Sequence, residues 1–163
     1  MTYIDDIPVT PAPRQTDAIK PIGNDGFFPD INMPEMRDAM RLDSTVTDAR
    51  LRPALVAAML TVNAALNRWQ QMKVAQGYAT LASVPAVSID DESHYVALYR
   101  RAVYSTAKAD MFEAYRDYDT TASALTDKKN MEWMDTAPDV QRRNARWAIS
   151  DILGTPRSTV ELI

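Results

Sequence analysis

One stretch of this chain, Thr47 to Gln76, constrains its fold more than any other. Leu51, Leu55, Met59, Val62, Leu66 and Trp69 recur there at spacings of four and three. That is the apolar stripe of an amphipathic helix and not the alternation of a strand. Val56, Leu60 and the alanines at 57, 58, 64 and 65 widen the stripe, which predicts burial over about half the circumference. Thr47 suits an N-cap, with Asp48 in the first turn where its charge favours the helix dipole. Gly77 is a natural stop. Such a helix is about 40 Å long at ~1.5 Å per residue, so it needs partners of similar length.

The flanking sequence supplies them. Pro34 to Asp43 reads as a short helix capped by Asn32, with Met36, Met40 and Ala39 facing inward. Pro53 either delays the long helix to Arg52 or kinks its first turns, and the phase of Leu51 favours the kink. Gly77 to Asp90 is an irregular connection anchored by Leu81, Val84 and Pro85. Ser88-Ile89-Asp90-Asp91 has the form of a capping box and predicts a helix from Asp91 to Asp117. Its stripe is Tyr95, Leu98, Tyr99, Ala102, Val103, Ala109, Phe112 and Tyr115. Asp119 to Leu125 is weakly helical. A last block, Asp127 to Leu153, is divided by Pro138, with Asp135 or Thr136 as the fresh cap. Val140, Ala145, Ala148, Ile149 and Ile152 form its inner face, Trp147 lies at the margin, and Gly154 ends it.

The two ends read differently. Six of the ten prolines lie between Pro8 and Pro34, and up to Met33 five Asp face one Arg and one Lys. Proline fixes the backbone and removes donors, so residues 1–33 form an extended arm. Phe27-Phe28-Pro29-Asp30-Ile31 is its adhesive end, open to packing on its own domain or docking on a neighbour. Residues 34–153 form the bundle and 154–163 a tail that adds as a strand or lies extended on a partner. The fold class is therefore all-α: a small antiparallel bundle of three to five helices with extended N- and C-terminal arms.

Chemistry is sparse. The chain has 163 residues, a length for one domain, and no cysteine, so thiolate metal sites and a cysteine nucleophile are excluded. The single histidine, His94, at a polar helix start reads as exposed. Asp90-Asp91-Glu92 is explained by capping and the dipole, not by a metal. There is no glycine-rich phosphate loop and no nucleophile elbow. No catalytic, metal or cofactor-binding residue is expected. No apolar run approaches ~18 residues and no leader is visible, so neither a membrane span nor a signal peptide is expected. A net charge of -4 is a poor basis for wrapping DNA. Arg142, Arg143 and Arg146, with Lys128-Lys129, are the basic groupings and read first as solvated helix faces. Trp69, Trp133 and Trp147 read as core or interface anchors.

Short motifs in order carry a resemblance. They are Phe28-Pro29-Asp30, Met40-Arg41-Leu42, Ala49-Arg50-Leu51-Arg52, Gly77 with Leu81, Val84-Pro85-Ala86, Ile89-Asp90 and Glu92-Ser93. Arg101-Ala102-Val103, Tyr115-Arg116, Asp127-Lys128-Lys129, Arg146-Trp147-Ala148 and Gly154 with Pro156-Arg157 follow. In this order the chain resembles the head completion protein (GPL) family of contractile-tailed phages, from about Phe27 onward. Residues 1–26 do not match the pattern, and Pro53 and Pro138 depart from it.

The resemblance implies a structural, non-enzymatic head–tail adaptor in the virion neck, assembled in the bacterial host cytoplasm. Such adaptors form a ring, commonly of twelve copies, beneath the portal protein. The ring extends the DNA channel, helps retain packaged DNA without gripping it, and offers a platform for a downstream neck or tail-completion protein. Phe27, Phe28 and Ile31 are then candidates for contact with a neighbouring copy. Pro156, Arg157, Val160, Leu162 and Ile163 are candidates for contact with the portal. The rival class is a helical DNA-binding regulator with Arg142 to Arg146 as its recognition face.

Overall fold

The computed structural model describes residues 20–42, 44, 46–118 and 138–157. Helix α1 is Met33–Met40, α2 is Asp48–Ala75, α3 is His94–Tyr118 and α4 is Pro138–Leu153. A 3₁₀ turn, Leu81–Ser83, and a two-stranded hairpin, β1 Ser88–Ile89 with β2 Glu92–Ser93, fill the connection between α2 and α3. The described part is a predominantly helical bundle, as the apolar periodicity predicts.

The expected stripe of α2 is buried from end to end: Leu51, Leu55, Val62 and Leu66 are sealed, and Met59 and Trp69 nearly so. Burying each such side chain contributes about 1.5–3 kcal/mol. The helix starts at Asp48 and passes through Pro53, so Leu51 joins the core in phase with Leu55. It ends as Gly77 dictates. At φ +94° this residue reverses the chain, while Gly77 N–H donates to the Val74 carbonyl and Tyr78 N–H to the Lys73 carbonyl. Gly154, at φ +68°, closes α4 through the same pair of bonds, to Asp151 and Ser150.

Helix α3 is central. Tyr99, Ala102 and Val103 face the core, and so do Val96, Tyr104, Lys108 and Met111, which periodicity alone did not assign to it. Tyr95 meets Trp69 edge-on at 5.3 Å and Tyr99 reaches Asn63, so α2 and α3 run antiparallel. Arg101 reaches Asn144 and Arg142 reaches Glu113, so α4 runs antiparallel to α3, its main partner. Lys108 donates to the Met40 carbonyl at 2.9 Å, fixing the end of α1, and burial lowers its pKa.

Four expectations change. Pro85 is exposed, so of the three expected anchors only Leu81 and Val84 are buried. Ser88 to Asp91 does not cap a helix: Asp90 and Asp91 take φ of +54° and +59°, and the segment folds back as a hairpin. Aspartate tolerates the left-handed region, and two such residues make the turn that matches strand twist. The helix therefore begins at His94. Ala39 is exposed, not inward. The widened stripe of α2 is also overturned. Ala58 is buried, but Val56, Ala57, Leu60, Ala64 and Ala65 are exposed, because α3 and α4 both pack on the opposite side.

The segment from Ile22 to Asn32 is extended, yet it is part of the core. Ile22 and Ile31 pair through two backbone bonds, and both are buried with Phe27 and Phe28. Residues 1–19, the readings at Asp119 to Leu125 and Asp127 to Thr136, and the side chain of Tyr115 lie outside the described residues.

Candidate functional site

At the adhesive end of the N-terminal arm, Phe27, Phe28 and Ile31 all face inward, and only Pro29 and Asp30 reach the surface. Phe28 stacks on Tyr99 with ring centroids 4.7 Å apart, and Phe27 meets Phe28 edge-on at 5.1 Å and Trp69 at 6.4 Å. Ile31 is fully buried. Packing on their own domain, the other role open to them, is the one they take, so their side chains are not available to a neighbour.

The backbone that brings them inward is held by local and distant bonds. Asp25 accepts from Phe27 N–H and Phe28 N–H, each at 3.0 Å, in a tight polar turn. Asn24 Nδ2 donates to the Tyr99 hydroxyl at 2.7 Å, and that hydroxyl donates to Asn63 Oδ1 at 2.7 Å. Asn63 Nδ2 donates back to Asn24 Oδ1 at 2.8 Å, closing a ring of three. Burial pushes the Tyr99 hydroxyl pKa upward, so it stays a donor across the neutral range.

At the other end, the start of the tail is clamped on the surface. Arg157 Nε and Nη2 donate to the two carboxylate oxygens of Asp151 at 2.9 and 2.5 Å. This bidentate bond holds the Asp151 carboxyl below the usual carboxylate range. The Arg157 guanidinium lies 5.3 Å from the Trp147 ring centre and that of Arg143 4.8 Å from it. Trp147 thus anchors two cations at the margin of α4. Pro156 and Arg157 are exposed, whereas Val160, Leu162 and Ile163 lie outside the described residues.

The basic face of α4 is largely engaged. Arg142 pairs with Glu113 at 2.6 Å and with Asp110 at 3.6 Å, at the rim of a groove of about 320 Å³ between α2, α3 and α4. Burial raises the Asp110 pKa, and Arg142 opposes that rise. With Arg143 on Trp147, only Arg146 of the three projects as an exposed cation without an ion pair among the described residues. A recognition helix needs several free cations on one face. Lys128, Lys129 and Trp133 lie outside the described residues. Trp69 is a core residue with Lys73 over its ring at 5.5 Å.

Among the described residues, no group of three or more His, Cys, Asp or Glu side chains converges as a metal site. His94 is exposed. No described helix is long and apolar enough to cross a membrane. What the surface does offer is apolar. Val87 and Ile89 on the hairpin are each 71 % exposed, and Leu60 on α2 is 66 % exposed. Sequence reasoning missed both features. The signal for the first was a β-branched pair two residues apart, which reads equally as loop or strand.

Comparison with known proteins gives the family. Residues 22–163 match the family described as phage head completion protein (GPL). The chain is 43% identical over 155 residues to the head completion/stabilization protein of Escherichia phage P2, covering 95% of this chain and 89% of that one. It is 29% identical over 147 residues to the probable head completion/stabilization protein of Haemophilus phage HP1, covering 87% and 91%. No solved structure matches.

Proposed function

The chain belongs to the phage head completion protein (GPL) family, and from that premise we propose that it acts as a head–tail adaptor in the neck of the particle. Head completion is the family's role. The finer reading is that copies of this chain form a ring below the portal protein, that the ring continues the DNA channel, and that its far side receives a neck or tail-completion protein. Work of this type requires matched surfaces and no reactive group. It also requires a channel that lets DNA pass, which suits a chain of net charge -4 whose α4 arginines are mostly paired.

The observation that carries the reading is the clamp at Arg157. A tail that only trailed from α4 would need no bidentate ion pair and no stacked indole at its root. Held in this way, Arg157 gives the proposed contact a defined root on α4. Launching a segment from a fixed root lowers the ordering cost on docking. In this proposal Pro156 and Arg157, with Val160, Leu162 and Ile163, contact the portal.

Truncating Ser158–Ile163 tests it. Attachment to portal-containing heads is expected to weaken while the helical circular dichroism stays unchanged. Unaltered attachment overturns the portal assignment.

A further inference from the structure

Two exposed apolar features complement each other. The first is the hairpin. Val87 directly precedes β1 and Ile89 ends it; two residues apart, they share a side, and each is 71 % exposed. Between Val87 and Ser93 the sequence holds three carboxylates, Asp90, Asp91 and Glu92, and no cation. The knob is rigid. His94 N–H donates to the Val87 carbonyl at 2.9 Å, Arg100 forms an ion pair with Glu92, and β2 runs directly into α3. Its crown, Asp90 and Asp91, is exposed.

The second is the outer side of α2. Pro53, Val56, Ala57, Leu60 and Ala64 recur at spacings of three and four and are all exposed. From Ala49 to Ala75 the helix carries Arg50, Arg52, Arg68 and Lys73 and no acid. Arg52 and Arg68 are exposed and form no ion pair among the described residues. An apolar stripe with cations beside it is the counterpart of an apolar flank with an acidic crown.

We propose that the hairpin of one copy seats on the outer face of α2 in the next copy, with Val87 and Ile89 on Val56 and Leu60 and the aspartate crown past Ala64 toward Arg68. Among the described residues both surfaces are exposed and neither satisfies the other, so the occupant proposed is a second molecule. Because the two surfaces differ, the contact is heterologous and propagates from copy to copy, closing a ring when the rotation permits. The inference rests on the ring reading for its occupant and adds the faces that meet.

This sequence holds no cysteine, so within it only the introduced thiols react. Particles are made with the full chain carrying Ile89→Cys and Leu60→Cys and treated with a short bis-maleimide. A ladder of multimers is expected. Mixed single variants should give dimers and nothing larger, and each single variant alone only monomer. Dimers from one variant alone, or Ile89→Cys joined to a different virion protein, overturn the contact. No thiol ladder where an amine-reactive reagent does join copies overturns the contact and leaves the ring. No multimer with either reagent removes the ring reading as well.

Ala64→Asp in the double-cysteine chain should reduce the ladder at least about tenfold, the effect of ~1.4 kcal/mol of like-charge repulsion, with unchanged circular dichroism. An undiminished ladder overturns the proposal. Should the cysteine pair not enter particles, Asp90→Asn with Asp91→Asn keeps a turn-compatible residue at both positions and removes the crown's charge. Copies per particle are then expected to fall about tenfold, and an unchanged number overturns the contact.

Discussion

The two ends of the described chain leave the bundle by opposite means. The segment Ile22 to Asn32 and the segment Gly154 to Arg157 are both non-helical and proline-containing. The first is drawn into the core by four buried apolar side chains and a closed ring of side-chain hydrogen bonds. The second rests on the surface by one ion pair and one indole. The comparison teaches that proline content sets only extension. Whether an extended segment becomes architecture or attachment depends on how much apolar area it carries and on whether its polar groups find buried partners.

The difference can be tested in order of expected size. Phe28→Ala should have the largest effect, destabilising the fold by about 3–5 kcal/mol, because it empties a fully enclosed site against Tyr99. Chemical denaturation reads it, and a loss below about 1 kcal/mol would break the claim that this segment is core. Tyr99→Phe keeps the stacking and removes the hydroxyl that both accepts from Asn24 and donates to Asn63. A loss of about 1–3 kcal/mol is expected from the amide groups left short of partners.

Arg157→Ala should leave the denaturation midpoint nearly unchanged, since exposed ion pairs contribute little, while attachment to heads declines. A large drop in stability would make the tail root part of the core and erase the contrast. The smallest effect is pH dependence. The Asp151 carboxyl is held low chiefly by its hydrogen bond from Arg157. Its contribution is therefore fully present above the ordinary carboxylate pKa and is lost as pH falls through the lowered folded value. Amide resonances of Thr155 and Arg157 should shift in that acidic window while those of α2 hold steady. Joint movement of both sets would indicate global unfolding instead.

Much of this fold was legible because helical periodicity is a local property. Leu51 to Trp69 marked their own inner face, and Gly77 and Gly154 marked the stops, since a left-handed position is cheap for glycine. Ser88 to Asp91 was not decidable locally. The same four residues suit a cap or a two-residue turn, and the pairing of Ser88 with Ser93 selects the turn. The exposed side of α2 was hidden for another reason. Val56 and Leu60 are apolar whether or not a further helix covers them, and only the packing of α3 and α4 on the far side leaves them bare. The fate of Phe27 and Phe28 rested on Tyr99 and Trp69, more than forty residues away in each case. The Arg157 clamp joins residues only six apart, yet nothing in their identities distinguishes it from an ordinary surface pair.

Pro53 brings one consequence of its own. It has no amide hydrogen, so the opening turn of the longest helix is tied to the remainder by one bond fewer. Arg37 ties the same end from outside, reaching both the Val46 carbonyl and the Asp48 carboxylate. The rod is thus stiff along its shaft and sutured at its root, and amide exchange should be fastest there, slowing in a step once past the proline.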